Sequence, residues 1–178
     1  MLRENRSTRN ARAGQRGFSV LEMVLASAIL MVGIISVVEL VPASLQLNAS
    51  SRLDTMATTI AQRELDQMLS QPLSVNSFQD ANGNTISLGG ANSPGSPVLM
   101  QGPMAQIDFT ASPVAGFSVT NYVDINNPTG ATFDVRWAVI PQVASSGRTI
   151  SRRIIIGVRQ TNANQPLLPV NIDTWQQK

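Results

Sequence analysis

The chain has 178 residues, 43% hydrophobic and 13% charged, with no Cys and no His. That is enough for one domain of ordinary size beside an apolar segment, and too apolar for a disordered chain. A thiol nucleophile, a Cys- or His-built zinc site, a Ser-His-Asp triad and an imidazole base are excluded, and no disulfide marks a compartment. The net charge of +2 does not point to nucleic acid, because Arg3, Arg6, Arg9, Arg12 and Arg16 all precede Phe18, with only Glu4 against them. The remainder holds eight basic and ten acidic residues, so the body of the chain is not a polyanion-binding surface.

The first element in the chain is apolar. Phe18 to Val41 is 24 residues with charges only at Glu22 and Glu39, and its uncharged centre, Met23 to Val38, is 16 long. A spanning helix needs about 20 largely apolar residues, so the segment suffices once Phe18 to Leu21 are included and Glu22 is tolerated. The arginine-rich leader places the N-terminus in the cytoplasm and the body on the far side. Three readings compete. A secretory signal cleaved before Ser44, after Val41-Pro42-Ala43, conflicts with an apolar run longer than the usual stretch of about 7 to 15 residues. A plain uncleaved anchor fits the length but leaves Glu22 and the glycine before the run without a role.

The third reading rests on a basic leader followed by Arg16-Gly17-Phe18-Ser19-Val20-Leu21-Glu22 and an unbroken apolar run. The pattern resembles the class III signal of type IV prepilins and type II secretion pseudopilins. The resemblance implies that a prepilin peptidase removes residues 1–17 by cutting between Gly17 and Phe18, then methylates the new amine of Phe18. Residues 18–41 then span the inner membrane and later pack in a filament core. It also implies a role for Glu22, the fifth mature residue: neutralising the amine of Phe18 in its own or a neighbouring subunit. A charge pair in a low-dielectric bundle is favourable only with its partner in place, so the pair would fix axial register. The alternative for Glu22 is a carboxyl protonated in lipid or snorkelling to the interface.

Gly33 weakens the apolar helix, and Pro42 removes one of its hydrogen bonds, so both are expected kink positions. In pilins a glycine and a proline bracket a stretch that melts on assembly; here the proline falls a few residues later. Over 42–71 the helical period continues, with Leu53, Met56, Ala57, Ile60, Ala61, Leu65, Met68 and Leu69 on one stripe. Pro72 ends it. The run from Ile60 to Met68 resembles the corresponding helix of V-type minor pilins and I-type pseudopilins; a good helix former packing on a sheet is the plainer reading.

Residues 72–103 are rich in Gly, Pro, Ser and Asn and read as an exposed αβ-loop, with Asn82-Gly83 as a hairpin turn. Asp80, Asn82 and Asn84 alternate like the start of a calcium loop, but Thr85 stands where glycine is required and Ala91 where the bidentate acid belongs. A polar turn is expected. Residues 104–160 alternate as strands, with Phe133, Val135, Trp137 and Val139 on one face opposite Asp134 and Arg136, and a hairpin closed around Gly147. The stripe on the helix is the available cover for the apolar face. The fold expected is α+β, type IV pilin-like, a long N-terminal helix on an antiparallel sheet of about four strands. Trp137 is read as core rather than a ligand stack, and Arg152, Arg153 and Arg159 as solvated edge or partner pairing rather than an anion site. Residues 161–178 are a loose tail or an edge segment.

No repeat and no phosphate-cradling loop is visible, and no spacing singles out a catalytic pair among Asp108, Asp124 and Asp134. The expectation is therefore a non-enzymatic structural subunit without cofactor or metal. It would be a minor pilin acting in pilus assembly, priming or at the tip, with a type II secretion pseudopilin as the near alternative. A membrane-anchored extracytoplasmic enzyme or binding domain is the alternative of another class. The implied partners are other pilins or pseudopilins, the prepilin peptidase, the assembly platform and, before assembly, the bacterial inner membrane; afterwards the chain lies in a periplasmic or extracellular filament.

Overall fold

The computed structural model describes residues 18–90, 93–102, 104–124, 130–162 and 168–177. The leader, Gly17 included, lies outside them. The chain divides into two units, one ending at Gln46 and the other running from Leu47 onward. One helix, α1 (Val20–Ser70), contributes to both. The strands are β1 (Ser77–Gln79), β2 (Thr85–Ser87), β3 (Val98–Gln101), β4 (Met104–Ile107), β5 (Ser118–Val123), β6 (Thr132–Val143), β7 (Thr149–Gln160) and β8 (Val170–Gln177). β1–β2 and β3–β4 are antiparallel pairs, and β5-β6-β7-β8 form a four-stranded antiparallel sheet in chain order. The chain is α+β, one long helix with antiparallel sheets.

In the second unit the expected stripe meets the expected strand face. Ala57, Ile60, Ala61, Leu65 and Met68 from α1 share one core with Phe133, Val135, Trp137, Val139, Ile154, Ile156 and Val158. Trp137 is fully buried, and its indole N–H donates to the Ser87 carbonyl at 2.8 Å, the bond a buried indole needs.

Two expectations change. The αβ-loop, 72–103, is not simply exposed: it carries β1, β2 and β3, and Ile86, Leu88 and Ser96 are buried. The main sheet does not draw all its strands from 104–160. β4 leaves it to pair with β3, and the place is taken by β8, from the stretch read as a loose tail or an edge segment, which forms an edge strand paired with β7 from Ser151↔Gln177 to Val158↔Val170. The polar sheet face is not left to solvent, since Asp134, Arg136 and Ala138 are all buried. Ala105 and Ile107 of β4 build a second small core there with Ala138 and Ile155. Gly157 permits this crossing, because a Cβ at that position would lie 2.8 Å from the Ile107 Cβ, inside van der Waals contact. Gly95 plays the same part beside Phe117 and Trp137, at φ 106° with a Cβ position 2.6 Å from the Phe117 ring.

Of the two readings of Arg152, solvated edge or partner pairing, the structure shows the second, and the side chain is buried. Its guanidinium donates to the carbonyls of Met68 (3.3 Å), Gln71 (3.1 Å) and Val75 (3.2 Å). Gln176 of β8 donates to Leu69 and Gln71 as well. The last turn of α1 carries no basic residue of its own, so strands β7 and β8 supply the donors and the positive charge that a helix C-terminus requires. Arg153 and Arg159 are partner-paired, with Asp173 and Asp134 respectively.

Candidate functional site

The candidate assembly segment is the first part of α1. Ser19 caps it: its hydroxyl oxygen accepts from the Leu21 amide at 3.3 Å and its carbonyl from the Met23 amide at 3.1 Å. A serine at this position satisfies helix donors that have no intrahelical partner. Glu22 is then the third helical residue, in the first turn, where the positive end of the helix favours a carboxylate. The Ser19-x-x-Glu22 spacing is that of a capping box, a local cause for the helix starting here that sequence reading missed. Phe18, immediately before the cap and four residues before Glu22 in sequence, is 82% exposed.

From Val20 to Val41 the large side chains are exposed on every side of the helix, and the segment is long and apolar enough to cross a membrane. A helix apolar all round is stable only inside a protein core or a lipid phase. Its serine hydroxyls are turned inward to the backbone. Ser27, Ser36 and Ser44 donate to the carbonyls of Met23, Val32 and Leu40 at 2.8 to 2.9 Å, so none of these hydroxyls has to be hydrated. α1 is unbroken through Gly33 and Pro42, the two expected kink positions. Pro42 has no N–H, so the Val38 carbonyl goes without its usual donor.

The second polar feature lies where α1 meets the sheet. Glu64, which falls on the buried stripe, is 2% exposed. Its Oε1 accepts the Tyr122 hydroxyl at 3.0 Å and lies 3.7 Å from Nε of Arg63. The Tyr122 hydroxyl also accepts from Arg63 and, at 2.9 Å, from Asn82. Desolvation, then the charge of Asp80, pushes the Glu64 carboxyl up to about 7, and Arg63 offsets only part of this. Apolar periodicity points away from a glutamate, which is why the cluster was not anticipated.

The three acids considered as catalytic candidates each have structural partners. Asp134 takes a fork from Arg136 (2.8 to 3.1 Å) and a third contact from Arg159 (3.3 Å), and both guanidinium groups lie over the Phe109 ring. Asp108 accepts the amide and hydroxyl of Thr110, which hold its carboxyl below the ordinary range. Asp124 meets Arg63 at 3.4 Å. Asp80, the first residue of the calcium-like spacing, spends its oxygens on the amides of Asn82 and Asn84 and the side chain of Asn84. That is a polar turn, and no group of three potential ligands for a metal occurs among the described residues.

Comparison of the chain with protein-family models, with curated proteins and with solved structures finds no match.

Proposed function

We propose that the chain is a structural subunit of a type IV pilin-like filament, a minor pilin of the V type that enters the fibre through its apolar helix and acts in assembly or priming. The observation carrying this reading is an apolar helix end exposed on all sides, capped at Ser19, with an acid four residues after the one where cleavage would create an amine. Before assembly the segment spans the inner membrane with the leader in the cytoplasm. A peptidase cut between Gly17 and Phe18 then leaves a methylated amine beside Glu22, which gains a partner it lacks in lipid. The sheet unit faces outward, and its acids serve packing rather than chemistry.

Mass spectrometry of the mature N-terminus tests the reading. A chain beginning at Phe18 with a methylated amine supports it; one beginning at Ser44, or retaining Met1, sinks it. Glu22→Ala is expected to leave processing intact and to reduce incorporation into filaments, and normal incorporation would remove Glu22 from the mechanism.

A further inference from the structure

Glu64 is the one acid on the buried face of α1, and the filament reading gives it no role. Its position is costly. Ile60, Ala61, Leu65 and Met68 share its face, and its Oε2 is buried without a hydrogen bond to any protein group. Yet the other oxygen belongs to a junction of three elements. The Tyr122 hydroxyl, on β5, donates to Glu64 and accepts from Arg63 of the helix and from Asn82 of the β1–β2 turn. The charged groups facing the carboxyl are Arg63 from α1 and Asp80 from the turn, with Asp124, at the end of β5, reaching Arg63 from the other side.

We propose that Glu64 is a proton-controlled latch: protonated, it holds the β1–β2 turn and β5 to the helix, and ionised, it releases them. With the proton on Oε2, Oε1 still accepts the Tyr122 hydroxyl and no net charge is buried. Once ionised, the carboxylate has one oxygen without a donor and the Asp80 charge nearby, so it gains by turning towards water. That movement leaves the Tyr122 hydroxyl proton without its acceptor, so the ring is free to shift and loosen the hydroxyl's hold on Asn82. The sign follows from the raised folded value. The closed form binds a proton that the open form, near the ordinary carboxyl value of 4.5, has lost. Closure is therefore complete at low pH and weakens as pH rises through about 7. The full difference between the two values raises the opening equilibrium about 300-fold.

Two features of composition make the latch readable. The chain has no His and no Cys, so no other side chain of ordinary pKa titrates between about pH 5 and 8. Tyr122 is its only tyrosine. The test follows the ring signal of ¹³C-labelled tyrosine by NMR in the full chain in detergent micelles, together with amide exchange at the 80–84 turn. We expect one transition near neutral pH, with turn exchange rising roughly 100-fold beyond intrinsic base catalysis. Glu64→Gln should abolish both. A flat tyrosine signal overturns the latch, as does a transition that persists in Glu64→Gln. Should that variant fail to fold, Asn82→Ala cuts only the turn's bond to Tyr122 and leaves the Ala81 amide on Gln67 at 3.2 Å. The tyrosine transition should then remain while turn exchange loses its pH dependence; turn exchange as in the wild type would overturn the proposal.

Discussion

The two parts of α1 are built from the same residue types to opposite ends. From Val20 to Gln46 the apolar side chains cover every face and stay exposed. From Leu47 to Ser70 they narrow to one stripe, and Ala57, Ile60, Ala61, Leu65 and Met68 on that stripe are buried. A continuous helical backbone therefore passes from a segment that needs an external apolar phase to one that finds its cover within the chain. Hydroxyls bond their own helix in both parts, Thr55, Thr58 and Thr59 included, but the second part adds side chains that reach other elements. In the first part, serines bond their own helix; in the second, Arg63, Glu64 and Gln67 bond other elements.

The strongest way to separate the two parts is to break the sheet unit alone. Asp134→Asn leaves Arg136 and Arg159 without their carboxylate, and Arg136 is itself buried. Losing one partner of a buried pair costs about 3–5 kcal/mol. Chemical denaturation should show that loss, while membrane retention of the apolar segment stays as in the wild type. A matched pair of truncations tests the contrast directly. Ile60 is fully buried and Ile34 is 55% exposed. Ile60→Ala should cost the sheet unit about 2–5 kcal/mol, and Ile34→Ala should move its denaturation midpoint by no more than the scatter of a surface change, about 0.5 kcal/mol. Equal effects would abolish the distinction between the parts. An effect confined to the first part belongs to Gly33, whose added Cβ meets nothing within 4 Å. Gly33→Ala should strengthen the helix by about 1 kcal/mol, seen as slower amide exchange around residue 33, with the sheet unit unmoved.

Much of the architecture could be read in advance because it depends on local periodicity. The stripe from Leu53 to Leu69 and the alternation of Phe133, Val135, Trp137 and Val139 each specify a face, and the two faces meet in one core. The Asn82-Gly83 turn also stands where local chemistry put it, with Gly83 at φ 82°. β8 was harder to foresee. Val170 to Gln177 has few apolar residues to mark a buried face, and its strand form is secured by pairing with β7. The site divides in the same way. Ser19 and Glu22 are a local signal at a helix start, whereas the junction at Tyr122 joins residues 59 and 58 positions away on α1 and 40 positions away in the turn.

The sequence alone determined where the chain is apolar on all sides, where it is apolar on one, and where it must turn, because these follow from side-chain spacing and backbone preference. Tertiary structure decided what became of the polar residues. Arg152 closes the end of α1, Asp134 is clamped by Arg136 and Arg159, and Glu64 is held in the core beside Tyr122. The physical reason is that burying a polar group is costly unless a partner meets it, and these partners arrive from strands and turns far away in the chain.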